Sequence, residues 1–423
     1  MRKLKIGIIG FGTVGTGVYK VLQSINNIEI KKIAVKNINK KREIDNFNEN
    51  LLTADAFEIV TDPEIDVVIE VAGGVNPAFD LLKTAINNGK HIVTANKELL
   101  AKEGSELFKL AKEKNVIILY EAAVAGGIPI IMPVKTTLSA NKISKIAAIL
   151  NGTTNYILTK MHEQNLSYYI ALKQAQELGY AETDPTGDVE GYDASYKIAI
   201  LSTISFNKKV SIDKIYREGI TNIKEQDIQS AKDLGYRIKL IAMGQVLADG
   251  KIDVRVHPML VAEKHLLAKV NNATNSIMLT GYPVGELVLT GPGAGAEPTA
   301  SSVVGDLLIL ASELNTTEKP LPQTICNHEE IADQIEIGET YNDYYISITA
   351  SNHPGAIGVI GTICGKNNIN ISTIMQKGIN PDNTAQIVVI TETSKESDIQ
   401  NALKEILESD CIKNIDNLLR VMN

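Results

Sequence analysis

The stretch Leu4-Lys5-Ile6-Gly7-Ile8-Ile9-Gly10-Phe11-Gly12-Thr13-Val14-Gly15 runs from a short apolar strand straight into a glycine turn. A helix-like apolar run over residues 18–25 follows, and residues 28–35 return to β-branched strand character, which completes a βαβ unit. Gly10 permits the tight turn, Gly12 lets the backbone approach a pyrophosphate, and Gly15 lets helix and strand pack closely, with the helix N-terminus facing the anion. Gly10, Phe11, Gly12, Thr13, Val14 and Gly15 are therefore the candidate cofactor-binding turn. Glycines also end strands for conformational reasons alone. The position between a strand and a helix is what makes this hexapeptide a dinucleotide site.

Outward from that unit, residues 67–71, 91–94 and 116–119 are short apolar strands separated by helix-like residues 77–88 and 98–114. Such alternation predicts a parallel, doubly wound, Rossmann-type sheet. After Pro129 the pattern changes to α+β, with helical character over 167–178 and 192–206 and strand character over 143–150 and 252–258. Residues 297–314 are helical again and open with Pro298 and Thr299, which suit a helix start. Residues 344–423 read strand, helix, strand, strand, helix, strand, a ferredoxin-like module. The expected organisation is a nucleotide-binding domain over 1–128 completed by 297–320, an α+β domain over 129–296, a connector over 321–342 and a C-terminal module over 343–423.

At 423 residues several cores are expected, and 44% hydrophobic with 22% charged residues is globular composition. A net charge of −8 supplies no global basic field for a phosphate backbone, so nucleic acid is not an expected partner. Cys326, Cys364 and Cys411 are far apart, which supports neither a disulfide framework nor a thiolate zinc site and fits a reducing cytoplasm. The N-terminal apolar stretch is too short for a signal peptide, and no run reaches the roughly 18 apolar residues of a membrane span. A soluble cytoplasmic protein is expected.

At the end of the second strand an NAD site usually carries Asp or Glu. Here stand Lys36 and then Lys40, Lys41 and Arg42, cations that suit a 2′-phosphate and favour NADP, or else merely solvate a loop. Asp193 and Lys197 stand four apart at the start of a helix and share a face. On a surface such a pair is an ordinary ion pair worth roughly 0.2–0.5 kcal/mol. This one follows a Pro/Gly turn bearing Glu182, Asp184, Asp188 and Glu190 and precedes apolar residues 198–201, so a partly buried lysine can hold a proton for an oxygen. Lys97 opens a helix capped by Asn96, against the macrodipole, near the carboxyl ends of the strands. In the turn over residues 121–129 the Glu121 carboxylate with the carbonyls of Val124, Gly126 and Ile128 could enclose a hard cation, though spacing alone favours a plain domain-crossing turn. The six histidines lack the close spacing of a metal-ligand pair, and no Gly-x-Ser-x-Gly nucleophile occurs.

Taken together, residues 10–18, 94–100, 121–130, 151–158, 182–201 and 291–300 resemble homoserine dehydrogenases in order, spacing and letters. The resemblance implies a substrate and dimerisation domain after the nucleotide domain, and a late helix returning to the nucleotide side. By matching position, Lys197 resembles the proton-donating lysine, Asp193 its partner acid at the substrate, and Lys97 the lysine between nicotinamide and substrate. Glu182 looks like the carboxylate that receives the substrate's amino group, with Asp188 a further substrate-binding acid. Thr94 and Gly293 fall on the cofactor side. Glu121, Val124, Gly126 and Ile128 fall on the family's monovalent-cation site, Na+ or another. Two departures are a variant glycine pair over residues 72–77 and Lys36, where many relatives carry Arg. Residues 352–357 and 367–371 resemble an ACT domain, whose helix start at Pro354-Gly355 could meet an amino-acid carboxylate. The implied reaction is reversible hydride transfer between NAD(P)H and aspartate 4-semialdehyde giving homoserine, with threonine an expected effector and a homodimer or homotetramer the expected assembly. Coupling to the effector would pass through packed contacts of the connector. Aspartate-semialdehyde dehydrogenase, which needs a nucleophilic cysteine, is disfavoured because all three cysteines lie beyond residue 320. A purely sensory protein would have no use for the Asp193/Lys197 pair.

Overall fold

The β-branched runs of the first 120 residues build a six-stranded, wholly parallel sheet in the computed structural model, which describes residues 3–42, 44–45, 47–316, 326 and 328–423, the side chains of 315 and 316 excepted. Strands β1 (Leu4–Ile9), β2 (Ile28–Ala34), β3 (Leu52–Thr53), β4 (Val67–Glu70), β5 (His91–Thr94) and β6 (Ile118–Leu119) lie in the order β3-β2-β1-β4-β5-β6. This is the doubly wound order expected from the sequence, and its reversal between β1 and β4 opens a crevice at the carboxyl ends of the strands. Ile6, Ile8, Val67, Ile69 and Val93 are all 0% exposed. Each contributes about 1.5–3 kcal/mol by burial. The first helix spans Thr13–Leu22 and so begins directly at Gly12, earlier than the apolar run suggests, because small residues at its start carry no periodic signal.

The chain divides into two compact units, and the first gathers residues 1–150, 193–213 and 275–332. Besides the parallel sheet it holds β7 (Lys142–Ile149), paired antiparallel with Thr274–Tyr282, beyond which lies Gly285–Pro292. The long helix Ala296–Thr316 packs on Thr13–Leu22 so closely that a Cβ on Gly17 would come within 2.5 Å of the Ala296 carbonyl oxygen. Of the stretches read as 297–320 and as a connector over 321–342, residues 317–325 and 327 lie outside the described residues.

The second unit gathers residues 151–192, 214–274 and 333–423. Its strands lie in the order Tyr236–Val246, Ile252–Ala262, Ile412–Met422, Tyr341–Ser351, Thr384–Thr391, Ile371–Lys377. The last four of these, with helices Ala356–Lys366 and Glu396–Leu407, are the ferredoxin-like module, closed around Tyr344, Ile348, Ile360, Ile399 and Ile406, each 0% exposed. The chain's final strand also runs parallel to Ile252–Ala262, with Met259 opposite Arg420. The module therefore shares a sheet with the rest of its unit. Every position of Ile252–Ala262 is buried, as expected of a central strand. Among the described residues no helix is long and apolar enough to cross a membrane.

Candidate active site

In the glycine turn the three roles read from sequence have distinct geometric signatures. Gly10 has φ +100°, and a Cβ there would lie 2.7 Å from the Ala72 amide nitrogen. At Gly15 a Cβ would lie 2.2 Å from the Gly10 carbonyl oxygen, whereas at Gly12 it would meet nothing within 4 Å. The turn is thus packed from behind and open in front, with Thr13 and Val14 opening a helix whose first amides point outward. A cavity of about 590 Å³ lies there, lined by Gly10, Phe11 and Gly12 on one side and Lys36, Lys40 and Arg42 on another. Lys36 and Lys40 are exposed. Arg42 instead organises the loop, donating to the carbonyls of Asn37, Ile38 and Lys40. Phe11 stacks on Phe47 at 5.3 Å, which fixes the wall of the cavity.

At the carboxyl ends of β4 and β5 a group appears that sequence reasoning missed. Glu70 is 0% exposed and accepts hydrogen bonds from the amides of Ala72 (2.9 Å) and Gly73 (3.0 Å) and from the Thr94 hydroxyl (2.7 Å). Burial pushes its carboxyl above the usual range, against those hydrogen bonds. Thr94 also accepts the Asn96 amide, so its hydroxyl is committed to the turn. An acid ending an otherwise apolar strand was the available signal.

Asn96 caps the next helix, Lys97–Lys114, accepting the Leu99 amide at 3.1 Å, and this places Lys97 in the first turn. The helix Tyr192–Phe206 carries Asp193 and Lys197 one turn apart. Lys197 Nζ donates to Asp193 Oδ2 (2.7 Å) and to the Leu150 carbonyl at the end of β7 (2.8 Å), while Lys97 Nζ lies 3.2 Å from Asp193 Oδ1. One carboxylate is thus bridged by two lysines, one per oxygen. The Asp193 and Lys197 side chains are 11% and 10% exposed, and Lys97 is 43% exposed. A solvated surface pair does not look like this.

In the second unit the Asp188 carboxylate accepts from Asn151 Nδ2 (2.6 Å) and Thr153 Oγ1 (2.9 Å). Asn151 in turn caps the helix Gly152–Gln164, a helix that its β-branched residues hid from the sequence patterns. Glu182 lies on an exposed turn whose backbone carbonyl accepts from Gln176. The structure therefore joins Lys97, Asp193 and Lys197 in one unit and holds Asp188 with Asn151 and Thr153 in the other.

The turn after β6 is held from within. Both Glu121 oxygens accept backbone amides, from Ile130 (2.5 Å), Ile131 (2.8 Å) and Met132 (2.7 Å). Ala125 and Gly126 both have positive φ, and the Gly126 carbonyl accepts from Ser302. With three amides on the roughly four lone-pair positions of the Glu121 carboxylate, a hard cation at this turn would rest chiefly on backbone carbonyls, those of Val124, Gly126 and Ile128 among them. The turn packs on the glycine-rich residues 291–295: a Cβ on Gly126 would lie 2.5 Å from the Gly293 carbonyl oxygen, and one on Gly293 would collide with the buried Asn275 amide. Among the described residues no group of three or more His, Cys, Asp or Glu is arranged to hold a metal ion.

The family described as homoserine dehydrogenase matches residues 129–308, its NAD binding domain matches 10–121, and the ACT domain matches 344–409. The homoserine dehydrogenase of Synechocystis is 40% identical over 437 residues, covering 99% of this chain and 100% of that protein. Among solved structures, a homoserine dehydrogenase from Thiobacillus denitrificans superposes with a TM-score of 0.93 at 37% identity, covering 100% of this chain and 99% of its own. A hyperthermophilic archaeal homoserine dehydrogenase solved in complex with NADPH gives 0.63 at 28% identity over 75% of this chain and 100% of its own.

Proposed function

The chain belongs to the homoserine dehydrogenase family and is an NAD(P)-dependent oxidoreductase interconverting aspartate 4-semialdehyde and homoserine, with a C-terminal ACT domain; on that premise we propose how its residues divide the reaction. When bound, the nicotinamide supplies or accepts the hydride at the carbon bearing the reacting oxygen. Lys197 holds the proton for that oxygen. Its ammonium has three N–H donors, two of which are engaged by Leu150 and Asp193, leaving the third for substrate. Asp193 orients Lys197, and Lys97 on its other oxygen adds positive charge that stabilises alkoxide character as it develops. Glu182 receives the substrate's ammonium, and Asp188, held by Asn151 and Thr153, is the second acid at the substrate.

The pyrophosphate lies at the Gly10–Gly15 turn, whose open front at Gly12 supports that placement. Lys36 beside it favours NADP, in keeping with the NADPH bound by the archaeal relative. The carbonyls at Glu121, Val124, Gly126 and Ile128 take a monovalent cation that stiffens the turn against Gly293. The ACT domain takes an amino-acid effector, threonine by its place downstream of homoserine. A homodimer or homotetramer is supported by the edge strand Gly285–Pro292, with Tyr282 82% exposed beside it, and light scattering reads the mass.

The observation that carries the mechanism is the carboxylate shared by Lys97 and Lys197. Its test follows nicotinamide absorbance with homoserine in wild type and Lys197→Ala, in sodium and in choline chloride. Lys197→Ala should lower turnover by about a hundredfold or more with cofactor affinity little changed. Near-normal turnover would remove Lys197 as donor, and equal rates and thermal stability in both salts would remove the cation.

A further inference from the structure

The turn over residues 182–192 contains only a four-residue helix, Thr186–Val189, which cannot hold itself. On one side Asn151 and Thr153 grip Asp188. On the other it is gripped by residues 216–221. The Ile220 amide donates to the Val189 carbonyl (2.8 Å), Thr221 Oγ1 donates to Glu190 Oε1 (2.9 Å), and the Arg217 guanidinium donates to the Glu190 carbonyl. That guanidinium also lies 3.4 Å from the centroid of the Tyr192 ring. At Gly219 a Cβ would stand 2.5 Å from the Val189 carbonyl oxygen, so the two segments touch backbone to backbone.

Residues 216–221 are fixed from two sides: Tyr216–Arg217 pairs in parallel with Arg255 and Val256 of the strand Ile252–Ala262, and the C-terminal module holds the side chains of Tyr216 and Glu218. Arg420 on the final strand makes a forked pair with Glu396 (3.1 and 2.6 Å), both side chains 2% exposed. Its remaining arm donates to Glu218 Oε2 at 2.8 Å, and Tyr216 Oη donates to the same oxygen at 3.1 Å. The Glu218 amide is anchored to the Val256 carbonyl (2.8 Å). Tyr344 and Gln400 complete the shell around Glu396. We propose that Glu218 and Arg217 are positioning residues that carry the set of the C-terminal module, through Arg420, to the substrate turn, so that the module governs homoserine affinity. The proposal rests on the reading of residues 182–188 as substrate-binding. Displacing Arg420 by a shift of the last strand would draw on Glu218, and through it on the peptide groups that hold Val189 and Glu190.

The test uses the full-length protein. Glu218→Gln removes one charge from the Arg420 shell but leaves the Glu396 fork, so no buried cation is stranded. It should raise the Michaelis constant for homoserine about fivefold or more, the lower bound of typical coupling, with turnover and the constant for NADP within about twofold. Arg217→Met should do the same, and the double variant should fall short of the product of the two effects. Amide exchange over residues 186–192 should quicken while residues 412–422 stay protected. Asp188→Asn is run alongside. If it raises the homoserine constant and Glu218→Gln does not, the coupling is overturned and the substrate reading stands. If Asp188→Asn changes nothing, both fall. A uniform loss of turnover with a lowered melting temperature in Glu218→Gln marks a merely structural role and overturns the proposal.

Discussion

At the scale of single residues, an i,i+4 spacing is ambiguous until burial is known. Asp193 and Lys197 could be recognised as neighbours from their spacing, but that Lys97 meets the same carboxylate at 3.2 Å depends on two helices far apart in the chain. An acid at the end of an apolar strand marks Glu70 in the sequence, but its bond to Thr94, like the three amides on the Glu121 carboxylate, is set by partners that folding brings in. Lys36 is the opposite case: its place after β2 follows from the βαβ unit alone, and it lines the cavity in front of the glycine turn. An acid there would accept the ribose hydroxyls of NAD and repel a 2′-phosphate. Lys36→Asp should therefore shift preference from NADP toward NAD, read from Michaelis constants for both cofactors in both proteins. Wild type favouring NAD by about tenfold would show that the lysines near β2 only solvate their loop.

Among the elements, β5 carries a pH dependence with a definite sign. His91 opens it, and its Nδ1 accepts the Ile117 amide at 3.0 Å, a bond that requires the neutral ring. Burial lowers its pKa from 6.5 to about 4, against the pull of Asp66. Between those values the unfolded chain takes up a proton that the native state refuses, so stability is complete above pH 6.5 and is lost as pH falls toward 4. The slope approaches 1.4 kcal/mol per pH unit, roughly, for each such group. His162 and His328 are also lowered to about 4 by burial and act in the same direction. His91→Asn keeps an acceptor without the titration, so its urea midpoint should fall less than that of wild type between about pH 7 and about pH 5. Identical slopes would show that His91 does not titrate on unfolding.

For the molecule as a whole, the decisive feature is the final strand lying between Ile252–Ala262 and Tyr341–Ser351. Arg255, 1% exposed, bonds to Thr340 (3.3 Å) and Asn342 (2.9 Å) and pairs with Asp253 at 3.2 Å. Ending the chain at Gly338 would strip away two of those partners and expose the edge of a long, wholly buried strand, its Arg255 and Asp253 included. The shortened protein should aggregate or melt well below the full chain, as read by sedimentation and calorimetry, and a monodisperse product with an unchanged melting temperature would contradict this. Effector binding is therefore measured on the intact chain. Threonine should give a calorimetric isotherm there and slow homoserine oxidation, whereas no heat and no inhibition at millimolar threonine would remove it as the effector.

The sequence by itself determined the parallel nucleotide-binding sheet, the glycine turn between its first strand and first helix, the strand and helix order of the C-terminal module, and the helical face shared by Asp193 and Lys197. All of these depend on neighbours within a few turns or one βαβ unit, where steric and hydrophobic periodicity act locally. It did not reveal the helix Gly152–Gln164 or the strand Tyr236–Val246, whose residues are selected by packing partners more than by their own periodicity. Only the tertiary structure decided that Lys97 completes the lysine pair, that Asn151 and Thr153 grip Asp188, and that the chain's end closes the sheet beside Ile252–Ala262. Those outcomes depend on hydrogen bonds and charges that meet across long stretches of chain, where sequence spacing carries no distance.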